Sequence, residues 1–148
     1  MKIRSILTHL LAFSLTGSLL LAHEGVELGP NGGRILEFSK NETMHGEVVL
    51  KVDNFHIALL DKDMKPVAMK AQSLTATTGE RSKATRLVVA SDAKGFIVPV
   101  IKPGDWLILQ YKDSASAKAI TARFKYDTAN CGGCNKAEWL CACKPEKP

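Results

Sequence analysis

The chain has 148 residues, with 20 Lys or Arg against 15 Asp or Glu and a formal charge of +5. Its basic residues stand singly between apolar positions, not on one face with aromatics between them, so nucleic acid is excluded as a partner class. The length suits one domain with its own core.

Met1-Lys2-Ile3-Arg4 is a short basic start, and an apolar run follows from Ile6 to Leu21, interrupted by Thr8, His9, Ser14, Thr16, Gly17 and Ser18. Residues 1–22 therefore read as a secretory signal peptide, too interrupted for a membrane span. Cleavage is expected after Ala22, or alternatively after Ser18, and no cysteine lies near either cut to carry a lipid. An uncleaved anchor is the rival, weakened because few positive charges follow to stop transfer. The mature chain then holds no transmembrane segment and belongs in the periplasm or outside the cell. Residues 23–32 read as a flexible leader.

From residue 33 to residue 127 the dominant period is two, the signature of strands with one face buried. The first strand is expected at Gly33–Phe38. A hairpin follows at Gly46–Asp61. If Asp53-Asn54 is its turn, Val52 faces Phe55, Leu50 faces Ile57 and Val48 faces Leu59, all on one apolar face. The opposite face then carries Lys51 against His56, Val49 against Ala58 and Glu47 against Leu60. Further strands are expected at Pro66–Lys70, Ser73–Thr78, Thr85–Ala90, Phe96–Ile101, Trp106–Tyr111 and Ala119–Tyr126, with Trp106 in the core. The last alternates Ile120, Ala122, Phe124 and Tyr126 against Thr121, Arg123 and Lys125. Turn residues fill the gaps, as in Thr78-Gly79-Glu80 and Lys102-Pro103-Gly104-Asp105. Together these predict an all-β domain, an immunoglobulin-like antiparallel sandwich with a short cysteine-rich appendage.

All four cysteines lie beyond residue 130, as Cys131-Gly132-Gly133-Cys134, six further residues, and Cys141-Ala142-Cys143. Residues 128–143 form this cluster, and 144–148, with two prolines and alternating charges, should be disordered. Gly132-Gly133 can take backbone angles closed to other residues. Asn135 can cap a helical turn through Leu140, with Glu138 reaching back. Three readings remain open. Four converging thiolates make a tetrahedral sulfur site for Zn²⁺, or for Cu⁺ with fewer ligands. An exported chain with an even cysteine count can instead form disulfides, the least strained pairing joining one member of each dyad. The third is exchange at Cys131/Cys134, which usually needs a βαβ setting that this chain lacks. Haem attachment is excluded because Asn135, not histidine, follows Cys134. Trp139, inside the loop, would shield the sulfurs from water.

Cleavage after Ala22 would make His23 a terminal amine-plus-imidazole chelator for copper, with His45 or His56 completing the site. The competing reading makes all three ordinary polar residues. Asp61 and Asp63 lack the further oxygens of a calcium loop. No nucleophile elbow, paired carboxylates or phosphate loop occurs, so no enzyme is expected.

The segments Gly29-Pro30-Asn31-Gly32-Gly33-Arg34, Leu59 to Val67 and Phe124-Lys125-Tyr126-Asp127, with the cysteine-spaced end, resemble a group of small exported bacterial proteins. His23-Glu24-Gly25 with Gly29-Pro30-Asn31-Gly32-Gly33 is similar to leaders near periplasmic adaptor subunits of heavy-metal efflux pumps, though the chain has neither a His-rich leader nor a lipoyl segment. The resulting expectation is an exported, non-enzymatic protein that binds Zn²⁺ or Cu⁺ through Cys131, Cys134, Cys141 and Cys143, for metal buffering or handover. The alternative is a disulfide-stapled module that binds another envelope protein; the third is thiol-disulfide exchange.

Overall fold

The computed structural model describes residues 25–80 and 82–143. The segment expected as a signal peptide, His23 and the tail 144–148 lie outside the described residues. Among the described residues nine strands run β1 (Arg34–Glu37), β2 (Met44–Lys51), β3 (Asn54–Asp61), β4 (Ser73–Thr78), β5 (Thr85–Leu87), β6 (Ala90–Asp92), β7 (Gly95–Pro99), β8 (Trp106–Lys112) and β9 (Ile120–Lys125). A 3-10 turn, Glu138–Leu140, follows. The strands form two antiparallel sheets, ordered β1-β2-β3-β7-β6 and β5-β4-β8-β9. Among the described residues no helix is long and apolar enough to cross a membrane.

Alternation in the sequence becomes a shared core between the sheets. Leu107, Leu109 and Tyr111 point inward from β8, beside Leu74 and Ala76 of β4 and Ala122 and Phe124 of β9. From the other sheet come Val48, Phe55, Ile57, Leu59, Phe96 and Val98, all nearly inaccessible to solvent. Aromatic pairs tie the sheets together. Phe38 stacks on Tyr111 with ring centroids 4.7 Å apart, and Phe55 meets Phe124 edge-on at 5.7 Å. Gly46 makes the first of these possible, since a Cβ there would lie 2.4 Å from the Phe38 ring.

The hairpin differs from expectation in its register. Its turn is Val52-Asp53, so Lys51 pairs with Asn54, Leu50 with Phe55 and Val48 with Ile57. The shift is two residues, which leaves each strand residue on its expected face. Val52 leaves the apolar face altogether. It adopts a left-handed φ of 52° and is 91% exposed. Trp106 is corrected too. Its neighbours Leu107 and Leu109 point inward, so Trp106 faces outward, 44% exposed, with the Arg123 guanidinium 5.5 Å above its ring.

Two expected strands are interrupted. Residues 66–70 make only an isolated bridge, Leu60 to Pro66, closed by the Val67 N–H donating to the Leu59 carbonyl and the Asp61 N–H to the Lys65 carbonyl. The preceding turn is held by the Asp61 carboxylate, which accepts the N–H groups of Asp63 and Lys65. The stretch expected as one strand at Thr85–Ala90 splits into β5 and β6, which belong to opposite sheets. Val88, at the crossing, is 82% exposed because neither sheet covers it.

Residues 25–32 are not the flexible leader expected from composition. The Ile35 N–H donates to the Glu27 carbonyl, and Leu28 bridges to Arg34. A tight turn closes between Gly29 and Gly33, with Gly33 too close to the Val48 carbonyl for any Cβ. This turn covers Glu47, which is completely buried. The Glu47 carboxylate accepts the Asn31 N–H at 2.7 Å, the Asn31 amide at 2.7 Å and the Gly33 N–H at 3.0 Å. A buried carboxylate tolerates burial only when its oxygens are bonded in this way. Asn31→Ala removes one of these donors from a buried anion and is expected to destabilise the fold by about 1–3 kcal/mol. Urea unfolding followed by tryptophan fluorescence measures it, and an unchanged midpoint would mean that the turn contributes nothing.

Candidate metal centre

After β9 the chain turns back on itself in a second, smaller hairpin. Asp127 accepts the Trp139 N–H through its carbonyl at 3.0 Å, and Ala129 accepts the Glu138 N–H at 2.8 Å. Asn130 bridges to Ala137, the Cys131 N–H donates to the Lys136 carbonyl, and the Asn135 N–H returns to the Cys131 carbonyl. This ladder fixes the Cys131–Cys134 knuckle. The expected helical turn shrinks to Glu138–Leu140, with Ala137 at its start and no side-chain cap. Asn135 instead takes a left-handed φ of 55°, reversing the chain after Cys134.

Gly133 serves in a different way from the one expected. Its contribution is steric: a Cβ there would stand 3.1 Å from the Cys143 sulfur. Gly132 has open space around it.

The four sulfurs converge. Cys131 Sγ lies 3.1 Å from Cys141 Sγ and 3.7 Å from Cys143 Sγ, while Cys134 and Cys141 are 3.8 Å apart. All four atoms fall within 4.8 Å of one another. A tetrahedral site with Zn–S bonds of about 2.3 Å has S–S edges of about 3.8 Å. The thiols of Cys131 and Cys141 are buried, Cys143 is half-buried, and Cys134 is exposed.

Hydrogen bonds polarise the group. The Cys131 thiol is pulled down to about 6, first by a hydrogen bond from the Cys141 thiol and next by the backbone N–H groups of Gly133 and Cys134. Cys141 is pushed up because it donates to Cys131, although the Cys143 N–H works the other way. Cys143 is pushed up to about 12, chiefly by its hydrogen bond to Cys141 and then by those to Cys134 and Cys131. Without metal, therefore, the cluster carries its negative charge first on Cys131. Backbone donors aimed at sulfur stabilise the anionic form that a metal requires.

Trp139 is 4% exposed, and its ring contacts are with the core. It stacks on Phe124 at 5.6 Å and meets Phe55 and Tyr126 edge-on at 5.8 Å and 5.7 Å. These contacts fasten the loop to both sheets. From the other side, the Val26 N–H donates to the Cys141 carbonyl at 2.8 Å, and Gly25 lies flush against Ala142 and Cys143. The Arg34 guanidinium donates to the Trp139 carbonyl at 3.1 Å and sits 5.5 Å above the Phe124 ring.

His45 and His56 do not join the sulfurs. Among the described residues, the four cysteines are the one group of three or more metal-type side chains that converges. His45 is buried and pairs through Nδ1 with the Glu37 carboxylate at 2.9 Å. His56 lines a groove of about 400 Å³ with Asn31, Lys51 and Lys94. It stands opposite Val49 and Ile97, not Lys51. Sequence reasoning missed Arg34 and the 25–28 segment, because one arginine at a strand start carries no spacing that points to a site.

Comparison with protein families, with curated proteins and with solved structures returned no match.

The depressed Cys131 thiol makes the metal-free protein titrate early. Thiolate absorbance near 240 nm should rise with a first midpoint near pH 6, since a lowered value keeps the anion present above it. Cys131→Ser should abolish that step; a first midpoint in the ordinary thiol range would contradict the hydrogen-bond pattern.

Proposed function

We propose that this is an exported, non-enzymatic protein that binds one Zn²⁺, or less favourably Cu⁺, through Cys131, Cys134, Cys141 and Cys143. The observation that carries the reading is the convergence of four sulfurs within 4.8 Å, two of the pairs standing at the 3.7–3.8 Å edge of a zinc tetrahedron. Zn²⁺ takes all four sulfurs as a closed tetrahedron, whereas Cu⁺ needs fewer and would leave part of the site unused. The role is metal buffering or handover in the periplasm or outside the cell. Exposed Cys134 supports handover, because an incoming thiolate can displace it first while the buried pair still holds the ion. The basic-then-apolar start and the resemblance to small exported bacterial proteins support the location.

The strand order supports an immunoglobulin-like architecture for the scaffold. The order β2-β3-β7-β6 corresponds to strands A-B-E-D, and β4-β8-β9 to C-F-G. The additional β1 extends the first sheet, and β5 the second.

A second reading has one observation in its favour. Cys131 and Cys141, one from each dyad, are the nearest sulfur pair at 3.1 Å. Oxidation there would make a disulfide-stapled module that presents loops or sheet edges to another envelope protein.

Mass spectrometry of protein recovered from its native compartment distinguishes the two. The metal reading expects one bound ion per chain and four alkylatable thiols after its removal. It also expects Co²⁺ substitution to give the spectrum of a tetrahedral thiolate complex, weakened by Cys→Ser at any ligand. Two bridges, no free thiol and no metal would replace this reading with the stapled module. Turnover of a mixed disulfide at Cys131 would favour exchange.

A further inference from the structure

Among the described residues Arg34 is a half-buried cation without a counter-ion. Its Nε is inaccessible to solvent and has no hydrogen-bond partner, and burial lowers its pKa. Among the described residues no carboxylate lies within ion-pair distance of it. The contacts it makes are with the Trp139 carbonyl and the Phe124 ring. Buried charges are ordinarily paired and hydrogen-bonded, so an orphaned guanidinium nitrogen marks a place where an anion is due.

The carbonyl that Arg34 grips belongs to Trp139, two residues before Cys141. A divalent ion held by four thiolates is a centre of net charge −2, since each deprotonated sulfur contributes −1. A loop that takes on two negative charges therefore rests on a strand that already holds one positive charge with no ion-pair partner among the described residues.

We propose that Arg34 is the counter-charge of the loaded metal centre, favouring a dianionic four-thiolate complex of a divalent ion. This rests on the metal reading above and adds a positioning and selectivity residue outside the ligand set. The Arg34 guanidinium holds the loop through the Trp139 carbonyl and offsets part of the charge that appears when the last thiols lose their protons. A centre that stays neutral, such as a pair of disulfides, gains nothing from it.

The test separates charge from hydrogen bonding. Zn²⁺ affinity is measured by competition with a chromophoric chelator at one pH for wild type, Arg34→Lys and Arg34→Gln. Gln keeps a donor for the Trp139 carbonyl and loses the charge; Lys keeps the charge and loses the planar fork. Arg34→Gln is expected to weaken binding by about ten-fold or more, with Arg34→Lys recovering most of the loss. Equal affinity in all three proteins, or equal weakening in both variants, would overturn the counter-charge role while leaving the metal reading intact. Failure of the wild type to bind Zn²⁺ would remove the metal reading itself. If Arg34→Gln loses the near-ultraviolet signal of Trp139, the wild type alone decides. Its Arg34 Nε–H resonance, followed by NMR, should shift and gain protection from exchange on adding one equivalent of Zn²⁺. An unmoved resonance would overturn the proposal.

Discussion

The seat of Trp139 among Phe124, Phe55 and Tyr126 makes the cysteine loop part of the domain. A segment of this length cannot bury enough apolar surface to fold by itself, and such segments usually depend on a metal or a bridge for their shape. Here the indole supplies the missing anchor. It fills the end of the sandwich core, and the backbone bonds from Asp127 and Ala129 transfer that fixed position to the residues around it. Cys141 follows two residues later, so its sulfur inherits its location from the core. A ligand set held in place before the ion arrives loses less conformational entropy on binding than one that must be gathered.

The two ends of the described chain meet at this point. Gly25 and Val26 lie against Cys141–Cys143, and β1 begins with the arginine that holds the Trp139 carbonyl. The same N-terminal segment then folds over Glu47 and satisfies its carboxylate with three N–H donors. Two charges on neighbouring strands, one buried and one half-buried, are thus treated differently. Glu47 is saturated by its covering turn, whereas Arg34 retains an unused donor beside the thiol loop. The first is explained by the scaffold alone. The second has its explanation in the charge that a loaded centre would bring.

Much of this arrangement was legible in the sequence, and the parts that were not have common physical causes. Period-two alternation located Ser73–Thr78 to the residue and separated Ala122 and Phe124 from Arg123 and Lys125. Alternation cannot tell a register from one displaced by two, so the hairpin turn fell at Val52-Asp53 instead of Asp53-Asn54. It is equally blind to a strand that changes sheets, as at Val88-Val89, because the residues on either side keep the same pattern. Composition misled for residues 25–32. Glycines that suggest flexibility are there because Gly29 and Gly33 pass too close to Glu47 and Val48 for a side chain. The convergence of the cysteines followed from their spacing, but the core seat of Trp139 did not, since the ring reaches partners 13 to 84 positions away in sequence.

Geometry weighs metal against bridge at the sulfurs. Closing any pair into a disulfide requires an approach to about 2.05 Å, and two bridges would draw four anchored sulfurs inward together. One ion at the centre asks for less. The 3.7 Å and 3.8 Å separations already match a tetrahedral edge. The short contact of 3.1 Å between Cys131 and Cys141 is a thiol donating to its neighbour, so loss of that proton to a metal removes the interaction that holds the pair close. Backbone N–H groups aimed at Cys131 and Cys141 act in the same direction. They stabilise sulfur that carries negative charge, which a coordinated thiolate does and a disulfide sulfur does not.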